Sequence, residues 1–275
     1  DFPGYYNATG YQAIAETNID VGLGDGVITN IMGYRQFRSR AASDIDGTPQ
    51  HFFNGYFNIN QEQISDELRY SGKIGAVEVT TGLYYFAQDL AYAEQRDLLG
   101  GARILSGGGT QDQTTWGAFA SADWHFSNTL TLNIGGRYSW ERKAVRIAPL
   151  GANGCDVNTL RCATNFIDDE SWKSFTPKLG LQWQPDNQTQ IYGFYTRGFR
   201  SGGYNLRNTD PGVPPGPFDQ ETQDSFEIGA KKQFGRSRLN IASFYNQMKN
   251  LQREINLPGP LGVSQPIRNT ADATI

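Results

Sequence analysis

The feature that most constrains this chain is a period of two that returns in stretch after stretch. At 130–140, Leu130, Leu132, Ile134, Tyr138 and Trp140 share one face of an extended chain. Thr131, Asn133, Arg137 and Ser139 share the other. Neighbouring strand side chains point to opposite faces, so this is a β-strand with one apolar and one polar side. Val77, Val79, Thr81, Leu83 and Tyr85 oppose Glu78, Thr80 and Gly82 in the same way. Trp116, Ala118, Ala120, Ala122, Trp124 and Phe126 oppose Gly117, Ser121, Asp123 and His125, with Phe119 as the exception. Shorter alternations lie at 18–23, 178–184 and 225–231.

The connections have a rhythm of their own. Short turn signals stand at Gly24-Asp25-Gly26, Ser71-Gly72-Lys73, Ser127-Asn128-Thr129, Pro185-Asp186-Asn187 and Gly235-Arg236-Ser237. Between them the sequence predicts long polar connections at 38–55, 88–113, 145–170, 201–220 and 253–265. Residues 1–11 read as the tail of a loop, and the first strand as 12–23. Ten strands result, and an eleventh is expected to begin near Ile267. Strands of ten or more residues exceed the usual ~5–6 of a soluble sheet and suit a bilayer crossed at a steep tilt. Short turns at one end and long loops at the other are the asymmetry of a membrane barrel. Tyr84-Tyr85, Trp124, Tyr138, Trp140 and Trp183 sit near strand ends, as interfacial girdles do. The expected fold is all-β, an antiparallel up-and-down transmembrane β-barrel, present in part as about 10–11 strands.

Composition agrees. A mean hydropathy of -0.54 is compatible with a barrel, because only alternate strand residues meet lipid. No apolar run is long enough for a transmembrane helix. No basic start leads into an apolar stretch, so a mature chain or a fragment is expected. The net charge is -4 without a basic stripe, which argues against a nucleic-acid partner. His51 and His125 are too far apart to suggest a metal centre. Cys155 and Cys162, in GCDVNTLRC, read either as a small disulfide loop in an oxidising compartment or as two free thiols.

The stretch TQIYGFYTRGFRSGGYN at 189–205 runs from a strand with aromatics on both faces into a basic, glycine-rich loop. Arg197, Arg200, Ser201, Tyr204 and Asn205 either contact an anionic or polyhydroxyl ligand at the barrel mouth or shape the strand–loop transition. Gly107-Gly108-Gly109 lacks the Lys-Ser/Thr of a phosphate loop. Asp44, Asp46 and Gly47 lack the bidentate Glu of a calcium loop. Asp168-Asp169-Glu170 reads as a solvated loop end, and nothing brings Glu78 and Glu227 together as a catalytic pair. No nucleophile has a visible base, so no enzyme is expected.

YTRGFRSGGYN, followed by ETQDSFEIGAKKQF and RLNIASFYNQMKNLQ, resembles the barrel region of TonB-dependent outer-membrane receptors. DGVITNIMGYR, SDELRYSG, TTGLYYF, TLNIGGRYSWERK and WKSFTPKLGLQW fit the same family in the same order. The likeness runs from about residue 13 to 269, within a single domain taken as 1–275. It implies a barrel of about 22 strands around an N-terminal plug, set in bacterial outer-membrane lipid and without a cofactor. It also implies active import of a scarce extracellular small molecule: a ferric siderophore most often, otherwise cobalamin or an oligosaccharide. The inner-membrane TonB complex would drive import through the plug. The sequence departs from the pattern by lacking plug, transducer box and terminal aromatic strand, so this polypeptide alone is expected neither to transport nor to insert stably. The alternatives are a passive porin-like channel and a soluble all-β carbohydrate-binding protein.

Overall fold

A computed structural model describes residues 2–207, 211–259 and 262–275. Its frame is one antiparallel sheet of eleven strands, each hydrogen-bonded to the next in chain order. The strands are β1 (Tyr5–Val21), β2 (Gly26–Asp44), β3 (Phe53–Ile74), β4 (Val77–Leu98), β5 (Arg103–His125) and β6 (Leu130–Gly151), then β7 (Phe166–Asp186), β8 (Thr189–Arg200), β9 (Glu221–Phe234), β10 (Ser237–Lys249) and β11 (Ala273–Thr274). This is the up-and-down order expected of a barrel wall. β1 and β11 are its two edges.

The alternation fixes which side meets lipid. Register aligns Val77, Trp124, Leu132 and Leu181 across four strands, and Leu83, Ala118, Tyr138 and Phe175 higher on the same face. These large apolar groups stay exposed: Ile134 is 50% accessible, Phe175 58% and Ile241 62%. Such a surface is tolerable only against acyl chains. Along β5 it runs from Trp124 to Trp116, close to the ~9–11 residues that cross a bilayer at a tilt. The opposite face carries Asn133, Arg137, Ser139, Glu141 and Lys143 and faces the lumen. There Arg137 lies 5.0 Å from the ring centre of Tyr84 and 5.8 Å from that of Phe119. Gly117 makes room for it, since a Cβ at that position would stand 2.3 Å from the Arg137 guanidinium.

The turn end matches the sequence reading at four of its five turns; Ser71-Gly72-Lys73 instead lies inside β3, paired with Thr80, Val79 and Glu78, and the chain reverses at 75–76. Asp186 of the Pro-Asp-Asn turn accepts the Gln188 amide at 2.8 Å and the Thr189 hydroxyl at 3.0 Å. At the loop end the connection expected at 201–220 is found with those bounds, the one expected at 253–265 widens to 250–272, and the others are shorter than expected. Residues 1–11 are not a loop tail, since β1 begins at Tyr5. The connection expected at 38–55 shrinks to 45–52, and the one at 88–113 shrinks to 99–102. β4 and β5 pair without a break from Val77↔Trp124 to Leu98↔Arg103. The connection expected at 145–170 shrinks to 152–165. A 23-residue β5 spans about 75 Å at ~3.3 Å per residue, so more than half of it stands clear of the bilayer. Above the bilayer both faces meet water, the apolar contrast vanishes, and strand reads as loop. Gly107-Gly108-Gly109 therefore lies within β5, beside a register shift between Ser106 and Gly108, and Asp168-Asp169-Glu170 lies within β7. The eleventh strand begins at Ala273, not near Ile267. Ile267–Asn269 instead pairs with Gln252–Glu254 as a separate hairpin in the last loop.

Leu179 lies mid-height on the outward face, opposite Ile134. Leu179→Arg should lower barrel stability by about 2–4 kcal/mol in the intact membrane protein. Gln182→Arg, on the lumen face, should cost well under half of that. Denaturant titration of both variants in lipid checks this; equal losses would reverse the assignment of faces.

Candidate functional site

β8 delivers the candidate residues to the loop end. Its odd positions continue the outward row Ile191, Gly193 and Tyr195, which pair with Ala230, Ile228 and Phe226. Arg197 follows on that outward face. Its guanidinium donates to both Asp224 carboxylate oxygens, at 2.8 and 2.7 Å, and the Tyr195 hydroxyl donates to the same carboxylate at 2.8 Å. Arg200 has the opposite parity. It is exposed on the lumen side, opposite Glu221 in the ladder, and no ion pair or hydrogen bond engages its side chain among the described residues.

Beyond Arg200 the chain turns inward over the polar face. Ser201 donates to Glu141 and accepts from the Lys143 ammonium at 3.1 Å. Lys143 also donates to the Gly202 carbonyl at 2.7 Å, pairs with Glu141 at 3.0 Å and sits over the Trp172 ring. Gly202 passes so close that a Cβ would meet the Phe218 carbonyl at 2.2 Å and the Trp172 indole at 2.3 Å. Tyr204 is buried against Trp172, Val145 and Ile147, with Phe166 and Leu206 beside them. Its hydroxyl donates to Asp168 at 3.1 Å. Burial first, then the Asp168 carboxylate, raise its pKa well above the ordinary tyrosine value, so it stays protonated. Asn205 bonds the Pro215 carbonyl through its backbone amide and accepts the Ile267 amide at 2.8 Å. Gln252 donates to the Ser201 and Asp219 carbonyls. The connection after β8 and the hairpin of the last loop thus form one polar-stitched body on the inner wall. Of the five sequence candidates, Ser201, Tyr204 and Asn205 come together there. Arg200 stands free beside them, and Arg197 faces the other way.

Sequence reading missed a second lumen cluster, because its stretch reads as loop. Glu94 is 1% exposed on β4. It accepts the Tyr92 hydroxyl at 2.9 Å and the Arg96 guanidinium at 2.9 Å. Glu78 and Glu227 stay apart: the first pairs with Lys73 and lies 3.3 Å from His125, the second accepts the Tyr192 hydroxyl. Asp44 and Asp46 are occupied by the amides of Asp46, Gly47, Thr48 and Phe53, which fold their loop.

The connection between β6 and β7 goes to the outer side. Cys155 and Cys162 are joined, with an S–S distance of 2.07 Å. Their hairpin packs Val157 and Leu160 around Ala93 and Ala148 on the outward face. Asp156 accepts the Asn158 amide and the Thr159 hydroxyl, which hold its carboxyl below the usual range. Asn58 and Arg40 reach from β3 and β2 to the Val157 and Asn158 carbonyls.

This combination of a two-sided meander, strands that outrun the bilayer and loops gathered at one end coincides with a known family. The family model for TonB dependent receptor-like β-barrels matches residues 1–275. The chain belongs to that family. It is part of an outer-membrane barrel wall, with the loop end outside the cell. The pesticin receptor of Yersinia enterocolitica is 25% identical over 178 residues, which are 62% of this chain and 24% of that protein. The ferric yersiniabactin uptake receptor FyuA of Yersinia pestis superposes with a TM-score of 0.81 at 18% identity, over 98% of this chain and 39% of that one. The siderophore receptor PiuA of Acinetobacter baumannii gives 0.75 at 14% identity, over 99% and 44%. The copper transporter OprC gives 0.76 at 9%, over 98% and 43%. The chain therefore spans about a quarter of the curated relative and about two fifths of these solved barrels.

Tyr204→Ala should remove about 3 kcal/mol of local packing and release the inner loop while the wall stays folded. Limited proteolysis of the intact protein should then cut within 206–217 at least ten times faster, with an unchanged unfolding midpoint. Equal cutting rates would show that Tyr204 does not hold the loop.

Proposed function

We propose that the protein carrying this chain captures a scarce small molecule from outside the cell and imports it actively, with a ferric siderophore as cargo. The observation that supports this most is the build of the loop end. Strands continue far past the aromatic girdle, and the connection after β8 folds inward, so the wall forms a deep polar vestibule instead of an open rim. The family membership and the likeness to receptors named for ferric yersiniabactin and other siderophores favour this cargo over cobalamin or an oligosaccharide. The TonB complex would supply the energy through a plug seated against the lumen face. The role is that of a receptor and transporter, not a catalyst.

Within the vestibule, Arg200 would meet the anionic cargo directly. Ser201, Tyr204 and Asn205 would hold the loop that frames it, and Arg197 would stiffen the wall through Asp224. A second reading, favoured by the fold likeness to a copper transporter, makes a copper ion the cargo.

Uptake in cells separates these readings. A strain lacking the native gene, complemented with the intact protein, should take up one member of a panel of radioiron-labelled siderophores saturably. Uptake should vanish in a strain without the energy-transducing complex. Arg200→Ala should raise the half-saturating concentration about tenfold, the loss of one charge-assisted hydrogen bond. Saturable copper uptake with no ferric uptake would select the second reading. Non-saturable uptake that ignores the transducing complex would contradict both.

A further inference from the structure

From Arg200 down to the turns, the lumen face divides into two walls of opposite charge. On β6 to β10 the cations Arg137, Lys178, Arg200, Lys231 and Arg238 outnumber the carboxylates Glu221 and Glu227. Register fixes their direction. Lys178 pairs with Thr196 and Lys231 with Gln190, both of the same parity as Arg200 on β8. Arg238 pairs with Gln233, two positions beyond Lys231. Over the corresponding rows of β1 to β5 the balance reverses. Glu16, Asp20, Glu67, Glu78 and Asp123 share the lumen parity there and outnumber Arg69 and Lys73.

The cations of the basic wall are held without being neutralised. Arg137 lies against the Tyr84 and Phe119 rings and donates to the Ser139 hydroxyl at 3.0 Å. Lys231 stands 5.1 Å from the ring centre of Tyr192. Among the described residues, none of these five cations lies in an ion pair. The carboxylates of the same wall are engaged by neutral donors: Glu221 accepts the Gln252 amide at 2.7 Å, and Glu227 the Tyr192 hydroxyl at 2.7 Å. On the acidic wall, by contrast, Arg69 pairs with Glu67 at 3.3 Å and Lys73 with Glu78 at 3.4 Å. An aromatic face fixes a cation and leaves its charge free to act on a third group.

This arrangement treats an anion unequally on its two sides. Fixed charge of one sign along a wall raises the local concentration of counter-ions about tenfold or more, and the acidic wall repels them. A path also needs rungs strong enough to attract and weak enough to release. Single cations spread down a wall meet that need, whereas several gathered at one height would trap the ion. The ladder partners of Lys178 and Lys231, Thr196 and Gln190, lie four and ten residues below Arg200 along β8. At the foot of the wall, Gln190, Lys231, Gln233 and Arg238 line a polar cavity of about 580 Å³.

We propose that the basic wall of β6 to β10 is the path by which an anionic cargo descends the lumen after capture. Arg137, Lys178 and Lys231 are its rungs, and the cavity at Arg238 is its exit. The inference rests on the import of an anionic ferric chelate proposed above, and adds which wall that cargo follows.

The test uses the intact protein in cells and separates binding from movement. Lys178→Glu combined with Lys231→Glu should lower the maximal rate of ferric siderophore uptake about tenfold. Binding of the same siderophore to de-energised cells should stay within about twofold of wild type. Lys178→Arg combined with Lys231→Arg should keep the wild-type rate, and so should Glu16→Gln combined with Asp20→Asn on the acidic wall. If the reversed pair folds poorly, Lys178→Gln alone, at an exposed position, should still slow uptake about threefold. An unchanged rate in the reversed pair or the single variant would overturn the proposal and leave the cargo reading standing. So would an equal loss in the acidic-wall variant, or slower uptake with new sensitivity to a bulky antibiotic, which would make the basic wall a seat for the plug. Absence of saturable ferric uptake by the unaltered protein would instead remove the cargo reading, and this path with it.

Discussion

Lipid offers no hydrogen-bond partner to a backbone amide or carbonyl, and this governs everything else in the molecule. A segment that crosses the bilayer as strand must find every partner in its neighbours. The eleven-strand meander does this with unbroken ladders such as β4 with β5. Its edges, β1 and β11, expose backbone groups that lipid cannot satisfy, so the wall needs further strands on both sides. Once the backbone is paired, the two faces are free to specialise. The outward face keeps Leu, Ile, Phe and Trp exposed to acyl chains, while the inward face carries Arg137, Glu141 and Lys143.

The same constraint explains what changes above the girdle. There the strands leave lipid, and both faces can carry polar groups. Hydrophobic clusters form on either side where a connection folds back: Tyr204 onto Trp172 inside, and the cystine hairpin onto Ala93 and Ala148 outside. The inner fold-back shapes a vestibule that a cargo would enter. The outer one covers the wall's exterior around Ala93 and Ala148. The two connections lie on opposite faces of one thin wall and serve different surroundings.

How much was legible in the sequence follows from where lipid contrast exists. β6 was readable between Leu130 and Trp140 because hydrocarbon and lumen impose opposite demands on neighbouring residues. The turn at Pro185 was readable because Asp186 caps it with local hydrogen bonds. The upper halves of β2 to β7 were not, because polar residues on both faces of a water-exposed strand look like loop. Gly107 to Gly109 and Asp168 to Glu170 were misplaced for that reason. The start of β11 was missed because Ile267, a good strand former, pairs with Glu254 in a loop hairpin. The five candidate residues were found as a group, but their directions were hidden. Aromatics on both faces of β8 obscure its parity, which sends Arg197 outward and Arg200 inward. Glu94 gave no signal, since a lone carboxylate in a polar stretch is unremarkable until its partners are placed.

The account rests on the strict opposition of the two faces within the bilayer. Its most direct test is a spin-label scan along β6, one site at a time from residue 130 to 140, in the intact protein reconstituted in lipid. Collision rates with oxygen, which concentrates in hydrocarbon, should peak at 130, 132, 134, 136, 138 and 140. Collision rates with a water-soluble nickel chelate should peak at the odd positions between them. Two profiles of period two and opposite phase are the predicted result; profiles in phase, or without that period, would contradict the account.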